Sequence, residues 1–303
     1  LPIISKKSHK KIGKGFGLIT NPEFLRESMA IHDTKNPHVI VLGGSDDKFM
    51  KKIKRFYEKV HSKTPIIITN NQTAELIKYA NNSFLATKIS FINQISNICQ
   101  LIPGANVEDV AKTIGMDPRI GSLFLNAGPG YGGSCLPKDV KAIINFSNRL
   151  GMKPKLLDAV EIVNDFQLKN LMTTIRKAVG KIKGRKITIL GTAFKPDTDD
   201  VRDSIAIKLV SLLLNEGAEI SVHDPRALKN TKLIFGNRIT YSDLINDALS
   251  NSECGVIITP WNDYRRITNS TIKKMNKRVI VDTRRILVGK KLNMKYFPIG
   301  IGT

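Results

Sequence analysis

KITILGTAFKPDTDDVRDSIAIKLVSLLLNEGAEISVHDP, Lys186–Pro225, is read in three pieces. KITILG is a short apolar run ended by Gly191, the pattern of a buried strand. SIAIKLVSLLLNEG has helical apolar spacing and a closing Gly217, and EISVHDP is a second strand. YSDLINDALSNS then reads as a helix, GVIITP as a strand and RVIVDTR as a last strand. Strands and helices in this alternation form a doubly wound parallel α/β domain, expected over 181–303.

Upstream the rhythm changes. TAELIKYANNSFLATKISFINQISNICQLI, from Thr73, carries helical periodicity without proline or glycine until Pro103 and Gly104. NVEDVAKTIG, PKDVKAIINFSNRLG and LLDAVEIVNDFQLKNLMTTIRKAVG are three further helices, so 73–180 is expected to be all helical. The first segment, 1–72, returns to α/β. GFGLIT, HVIVLGG and PIIIT read as strands, the last two buried. NPEFLRESMAIHD reads as a helix capped by Asn21 with Pro22 at its first position, and DDKFMKKIKRFYEKVHS as another. The expected architecture is therefore two Rossmann-like doubly wound domains, the first incomplete, joined by a central helical domain with a long helix.

The chain has 303 residues and a formal charge of +22, from 48 basic and 26 acidic residues. The basic residues are spread along the chain without interleaved aromatics. That favours solvated lysines and an anionic small ligand over nucleic acid. No apolar run reaches membrane-span length, and the first residues do not show a secretory leader pattern. Cys99, Cys135 and Cys254 are too few and too scattered for a disulfide framework or a zinc site, which fits a reducing cytoplasm; no metal is expected.

One cysteine stands apart. GPGYGGSCLPKD, Gly128–Asp139, crowds glycines before Cys135, and Pro137 and Lys138 open a helix. A thiol just before a helix N-terminus, with a lysine beside it, is pushed toward the nucleophilic thiolate. Cys99 and Cys254 read as small packing residues.

GYGGSCLPKD resembles the catalytic-cysteine signature of the UDP-glucose/GDP-mannose dehydrogenase family, and four further segments match in order. NPEFLRESMAIHD resembles the family's carboxylate segment. It implies Glu23 as base for a hydrolytic water, Glu27 beside the cofactor, and Phe24 and Leu25 at the substrate. AELIKYANNSFLATKISFIN resembles the long helix with catalytic Lys78 and Asn82. DPRIGSLFLNAGPGYGGSC resembles the substrate loop: Arg119 reaches a neighbouring subunit's site, Phe124, Leu125 and Asn126 line the uridine phosphate pocket, and Gly132 lies near the sugar. GTAFKPDTDDVRDS resembles the substrate-binding turn, with Phe194 and Lys195 at the sugar nucleotide and Arg202 at the cofactor. Lys138 falls on a cofactor position, and Asp139 on a catalytic one.

The resemblance implies an NAD-dependent, four-electron oxidation of UDP-glucose to UDP-glucuronate. Cys135 would trap the aldehyde as a thiohemiacetal, and oxidation would give a thioester for water to release. GPGYGG and FKPDTDDVRDS lean to UDP-glucose; GDP-mannose, or a remnant that binds sugar nucleotide without turnover, are the alternatives. The long helix, apolar at Ile89, Phe91, Ile92, Ile95 and Ile98, is expected to build a homodimer. No strand–GxGxxG–helix fingerprint occurs. With Leu1 in place of a methionine, this leads to the expectation of a fragment lacking the first half of its cofactor fold, with an unpaired sheet edge and apolar faces left open.

Overall fold

The computed structural model describes residues 2–302 and divides into two compact units, 1–82 and 83–303.

In the first unit, helix α1 (Pro2–Ser8) precedes strand β1 (Ile19–Thr20), helix α2 (Ala30–Lys35), strand β2 (Ile40–Gly44), helix α3 (Asp47–Val60) and strand β3 (Ile66–Thr69). Helix α4 (Asn71–Cys99) begins here and continues into the second unit. The sheet order is β1-β2-β3, with β2 and β3 parallel and Ile40 opposite Ile66. The core is small: Ile40, Leu42 and Met50, with Ile53 and Tyr57 packed on it.

Four expectations change in this unit. β1 is only two residues long and pairs antiparallel with β2. β3 lies at the sheet edge with Ile67 and Ile68 about half exposed, so it is not a buried strand. HVIVLGG itself, expected near an unpaired edge, is the central strand, paired on both sides. Finally, 21–29 is not helical, because Asn21 does not act as a cap. Its amide donates to the Val41 carbonyl at 2.8 Å and its oxygen accepts from the Tyr57 hydroxyl, which ties this segment down in extended form. The helix starts only after Ser28, at a φ of 67°.

The second unit holds the rest of α4, then helices α5 (Val107–Gly115), α6 (Leu136–Arg149) and α7 (Lys155–Val179). Strand β4 (Lys186–Leu190), helix α8 (Ile205–Asn215), strand β5 (Glu219–His223), helix α9 (Leu228–Phe235) and strand β6 (Thr240–Tyr241) follow. Helix α10 (Ile245–Leu249), strand β7 (Cys254–Ile257), a 3-10 turn at Asn262–Arg266, helix α11 (Asn269–Lys273) and strands β8 (Val279–Asp282) and β9 (Lys295–Pro298) complete it. All six strands are parallel in the order β6-β5-β4-β7-β8-β9. That is a complete dinucleotide-fold sheet with its switch point between β4 and β7. Within 181–303 the sequence reading stops its strands at β8, and it passes over β6, α9, α11 and β9.

The pleat sorts the core. Ile187 and Ile189 of β4 face Leu171 and Ile175 of α7 and Leu209 and Leu213 of α8. Leu190 and Ile257 face Leu249 of α10, Ile272 of α11 and Tyr264. Each fully buried leucine or isoleucine contributes roughly 1.5–3 kcal/mol, so both faces weigh in the stability of the sheet.

At the carboxyl end of β5, Asp224 is 3 % exposed. Its Oδ2 accepts from the Thr192 and Ala193 amides at 2.7 and 3.0 Å and from the Trp261 indole at 3.1 Å. Its Oδ1 accepts from the Arg226 and Ala227 amides. The D224A variant leaves these donors buried without an acceptor. Urea denaturation is expected to show a loss of about 3 kcal/mol or more, set by the cost of each orphaned donor.

Candidate functional site

Helix α6 opens on Cys135, the N-cap residue, with proline in its first turn. The first helical bond runs from the Asp139 amide to the Cys135 carbonyl at 2.9 Å. The thiol is exposed, whereas Cys99 and Cys254 are buried. Ser134 Oγ lies 3.6 Å from Cys135 Sγ. Asp139 is buried and takes an ion pair from the exposed Lys138 ammonium.

The glycines before the thiol are filled in by the protein itself. A Cβ on Gly132 would overlap the Asp203 carbonyl, and one on Gly133 would stand 2.6 Å from the Phe194 ring. The long passage between β4 and α8, Gly191–Ser204, therefore lies directly on the cysteine loop. Inside that passage Phe194 N donates to the Asp200 carbonyl at 3.0 Å, and the Lys195 ammonium sits 5.7 Å from the Phe194 ring centre. Arg202, expected at the cofactor, forks onto the Asp200 carboxylate at 2.7 and 3.0 Å.

Upstream, Phe124 takes a left-handed backbone at φ 65°. Leu125 is 3 % exposed and packs with Ile92, Val107 and Ala127. With Asn126 it also borders a cavity of about 320 Å³ that Glu108, Lys112, Ser122 and Arg285 complete. Arg119 is exposed and forks onto Asp117 in its own turn.

Sequence reasoning missed two arginines after β8. Arg285 is 7 % exposed and fully engaged: it reaches the Ala127 carbonyl at 2.8 Å, the Ile299 carbonyl at 3.0 Å and Glu108 at 3.1 Å. Arg284 donates through Nε to the Ile258 carbonyl at 3.0 Å, and its guanidinium fills the space where Gly128 lacks a Cβ. Among the described residues it forms no ion pair. Burial, then the charge of Arg285, push its pKa down to about 10. Arg284 is half-buried, and the nearby Asp282 carboxylate offsets only part of that downward push; a guanidinium held beside a glycine loop is suited to an anionic ligand. The signal was available, since DTRR follows a strand whose carboxyl end borders the sheet crevice.

In the first unit, Lys78 bonds Glu23 twice, at 2.5 Å to its carbonyl and 2.8 Å to its carboxylate, and lies 5.7 Å from the Phe24 ring centre. Glu23 also accepts from the Leu25 amide. Glu23 and Glu27 do not share a helix face, because 21–29 is not helical; Glu27 stands in the turn before α2. Asn82 is buried on α4 and accepts from Asn81.

The fit of a dinucleotide can be tested on this unit. Its strand–turn–helix passage, β2 into α3, places Asp46 as N-cap and Asp47 in the first turn. Those carboxylates occupy that helix end, so it is not where a pyrophosphate would sit; Glu27 is the residue of this unit that would face the cofactor. In the second unit Asp224 takes the amides after β4 that a dinucleotide phosphate would use.

Three family models match the chain: the NAD binding, central and UDP binding domains of the UDP-glucose/GDP-mannose dehydrogenase family, over 1–61, 72–166 and 188–289. The chain belongs to that family. It is 39% identical to a UDP-glucose 6-dehydrogenase of Haloferax volcanii over 96% of this chain and 67% of that protein. It is 40% identical to one of Bacillus subtilis, over 91% of this chain and 60% of that protein. Among solved structures, a UDP-glucose dehydrogenase of Pyrobaculum islandicum matches with a TM-score of 0.88 at 34% identity, over 95% of this chain and 65% of that one. The chain thus spans about three fifths to two thirds of the length of these family members. No helix among the described residues is long and apolar enough to cross a membrane.

The contrast among the three thiols has a direct readout. Burial pushes the Cys254 thiol up to about 12, so it stays neutral and enclosed at pH 9. Iodoacetamide labelling of the folded chain at pH 8–9, read by mass spectrometry, is expected to modify Cys135 and spare Cys99 and Cys254.

Proposed function

We propose that the chain carries the sugar-nucleotide and thiol machinery of a UDP-glucose 6-dehydrogenase, which oxidises the primary alcohol of UDP-glucose to the carboxylate of UDP-glucuronate. The observation that carries this reading is the exposed Cys135 at the head of α6, on a loop packed against the passage that holds Phe194 and Lys195. NAD would supply the hydride acceptor, one molecule for the oxidation of the alcohol and a second for that of the thiohemiacetal. Glu27, Lys138 and Arg202 are the residues of this chain assigned to face it.

The other steps belong to this chain's side chains. Arg284 and Lys195 hold the diphosphate, and Asn126, Leu125, Phe124 and Gly132 border the nucleotide. Arg119 serves a neighbouring copy, and Phe24 and Leu25 border the sugar. Cys135 adds its sulfur to the aldehyde carbon and gives a thiohemiacetal, whose oxidation yields a thioester. Glu23 takes a proton from water, and Asn82 and Asp139 orient that water for attack on the thioester carbon. Lys78, already hydrogen-bonded to Glu23, donates to the oxyanion. The C–S bond then breaks, and the thiolate leaves.

The division of labour follows the chain: 1–72 for the cofactor side, 73–180 for the thiol and the subunit contact, 181–303 for the sugar nucleotide. We assign the homodimer to α4. Of the residues expected there, Ile92, Ile95 and Ile89 pack inside this chain, whereas Phe84, Phe91 and Ile98 recur every seven residues and are 65, 51 and 46 % exposed, a stripe on one helix face. The three unpaired cysteines support a cytoplasmic setting.

Calorimetric titration with UDP-glucose, with GDP-mannose as control, tests the substrate. Selective binding of UDP-glucose is expected, weakened about tenfold or more by R284A, since a charge-assisted contact is worth at least about 1.4 kcal/mol. Preference for GDP-mannose changes the substrate, and binding of neither by folded protein removes the reading. Sedimentation velocity is expected to give a dimer for the wild type and a monomer for the F84K/F91K double variant.

A further inference from the structure

The cysteine loop has no sheet to pair with, yet its backbone is buried, and buried amides and carbonyls need partners. One side chain supplies both for Tyr131. Asn164 of α7, 7 % exposed, accepts from the Tyr131 amide through Oδ1 at 2.8 Å and donates from Nδ2 to the Tyr131 carbonyl at 3.2 Å. This two-way exchange is what a hydrogen-bonded residue pair gives in an antiparallel ladder. Gly130 makes room for it: its φ is 113°, and a Cβ there would lie 2.9 Å from Asn164 Oδ1.

The tyrosine side chain is held by the same helix. Its ring is 4 % exposed, packed with Ala86, Val140 and Val160. Its hydroxyl donates to Glu161, which precedes Asn164 by one turn of α7. Burial, and then Glu161, hold the Tyr131 pKa well above its ordinary value, so the hydroxyl remains a donor at all working pH. Glu161 also lies 4.0 Å from the Lys141 ammonium on α6, the helix that Cys135 heads.

We infer that Asn164 and Glu161 form a clamp on α7 that positions the cysteine loop and thereby sets the reactivity of Cys135. The clamp grips upstream of the thiol at Tyr131 and downstream through Lys141, while Asp203 and Phe194 close the opposite side at Gly132 and Gly133. Neither residue touches a reacting atom, so both are positioning residues. The inference rests on reading Cys135 as the nucleophile, but its test does not require turnover.

The test is the pH profile of Cys135 alkylation by iodoacetamide in the full chain, with thermal melting alongside. N164A removes both backbone bonds and is expected to change the Cys135 rate about fivefold or more, or to move the profile midpoint by about half a unit or more, since small displacements of a reacting group carry large rate effects. Y131F keeps the backbone bonds, loses the Glu161 link and is expected to give a smaller change; it also serves if N164A does not fold. N170A is the control. It lies on the same helix and bonds Asn97 at 2.8 Å, so its loss is expected to lower the melting temperature and leave the Cys135 profile alone. Wild-type profiles in folded N164A and Y131F, or an equal shift in N170A, would overturn the clamp. Absence of UDP-glucose binding with an altered N164A profile would count against the proposed substrate and leave the clamp standing.

Discussion

The carboxylate of Asp224 is the constraint on which the second unit depends. It stands at the carboxyl end of β5, and five donors from three separate segments converge on it. In a dinucleotide-binding sheet an acid at the end of this strand meets a ribose, and the amides after the first strand meet phosphate. Here the acid takes those amides for itself. The passage from Gly191 to Ser204 is thereby pinned at its root and can extend, with Phe194 and Asp203, over the cysteine loop. A fold that elsewhere cradles a dinucleotide also braces the loop of a thiol here.

The same logic accounts for the glycines. From sequence, GPGYGG reads as a loop built to approach a ligand. In the structure the absent Cβ positions face the Arg284 guanidinium, the Asn164 amide, the Asp203 carbonyl and the Phe194 ring. The close approach is internal, and its product is a thiol held in one place at the surface.

Much of this was legible because periodicity is a strong signal in long elements. Strands β4, β5, β7 and β8, helix α8, the long helix α4 and the head of α6 all fall where apolar spacing and proline placement put them. The failures share one cause, a tertiary contact that outweighed a local preference. Asn21 followed by proline has the form of a helix cap, but its amide is worth more on β2 and Tyr57, where it closes the gap between strand and helix. The pairing of Glu23 with Glu27 depended on that helix and fell with it, whereas Glu23 and Lys78 meet across 55 positions of chain that no local pattern could connect. β3 reads as buried because isoleucines read that way, and only the sheet order shows it at an edge. Arg284 was hidden for a different reason. One basic residue among 48 carries no information until the structure shows which one stands against the glycine loop.

That guanidinium links recognition to endurance. Burial and the neighbouring Arg285 both disfavour the charged form of Arg284 in the folded chain, against a smaller opposing pull from Asp282, so its guanidinium is less at ease folded than unfolded. In the role proposed for it, an anion seated on Arg284 would favour the charged form and bind only the folded chain, so its free energy would add to the stability of the whole unit. With the role proposed for Arg284, ligand supply would become a form of proteostasis: the population that escapes unfolding and proteolysis would grow with the concentration of the sugar nucleotide.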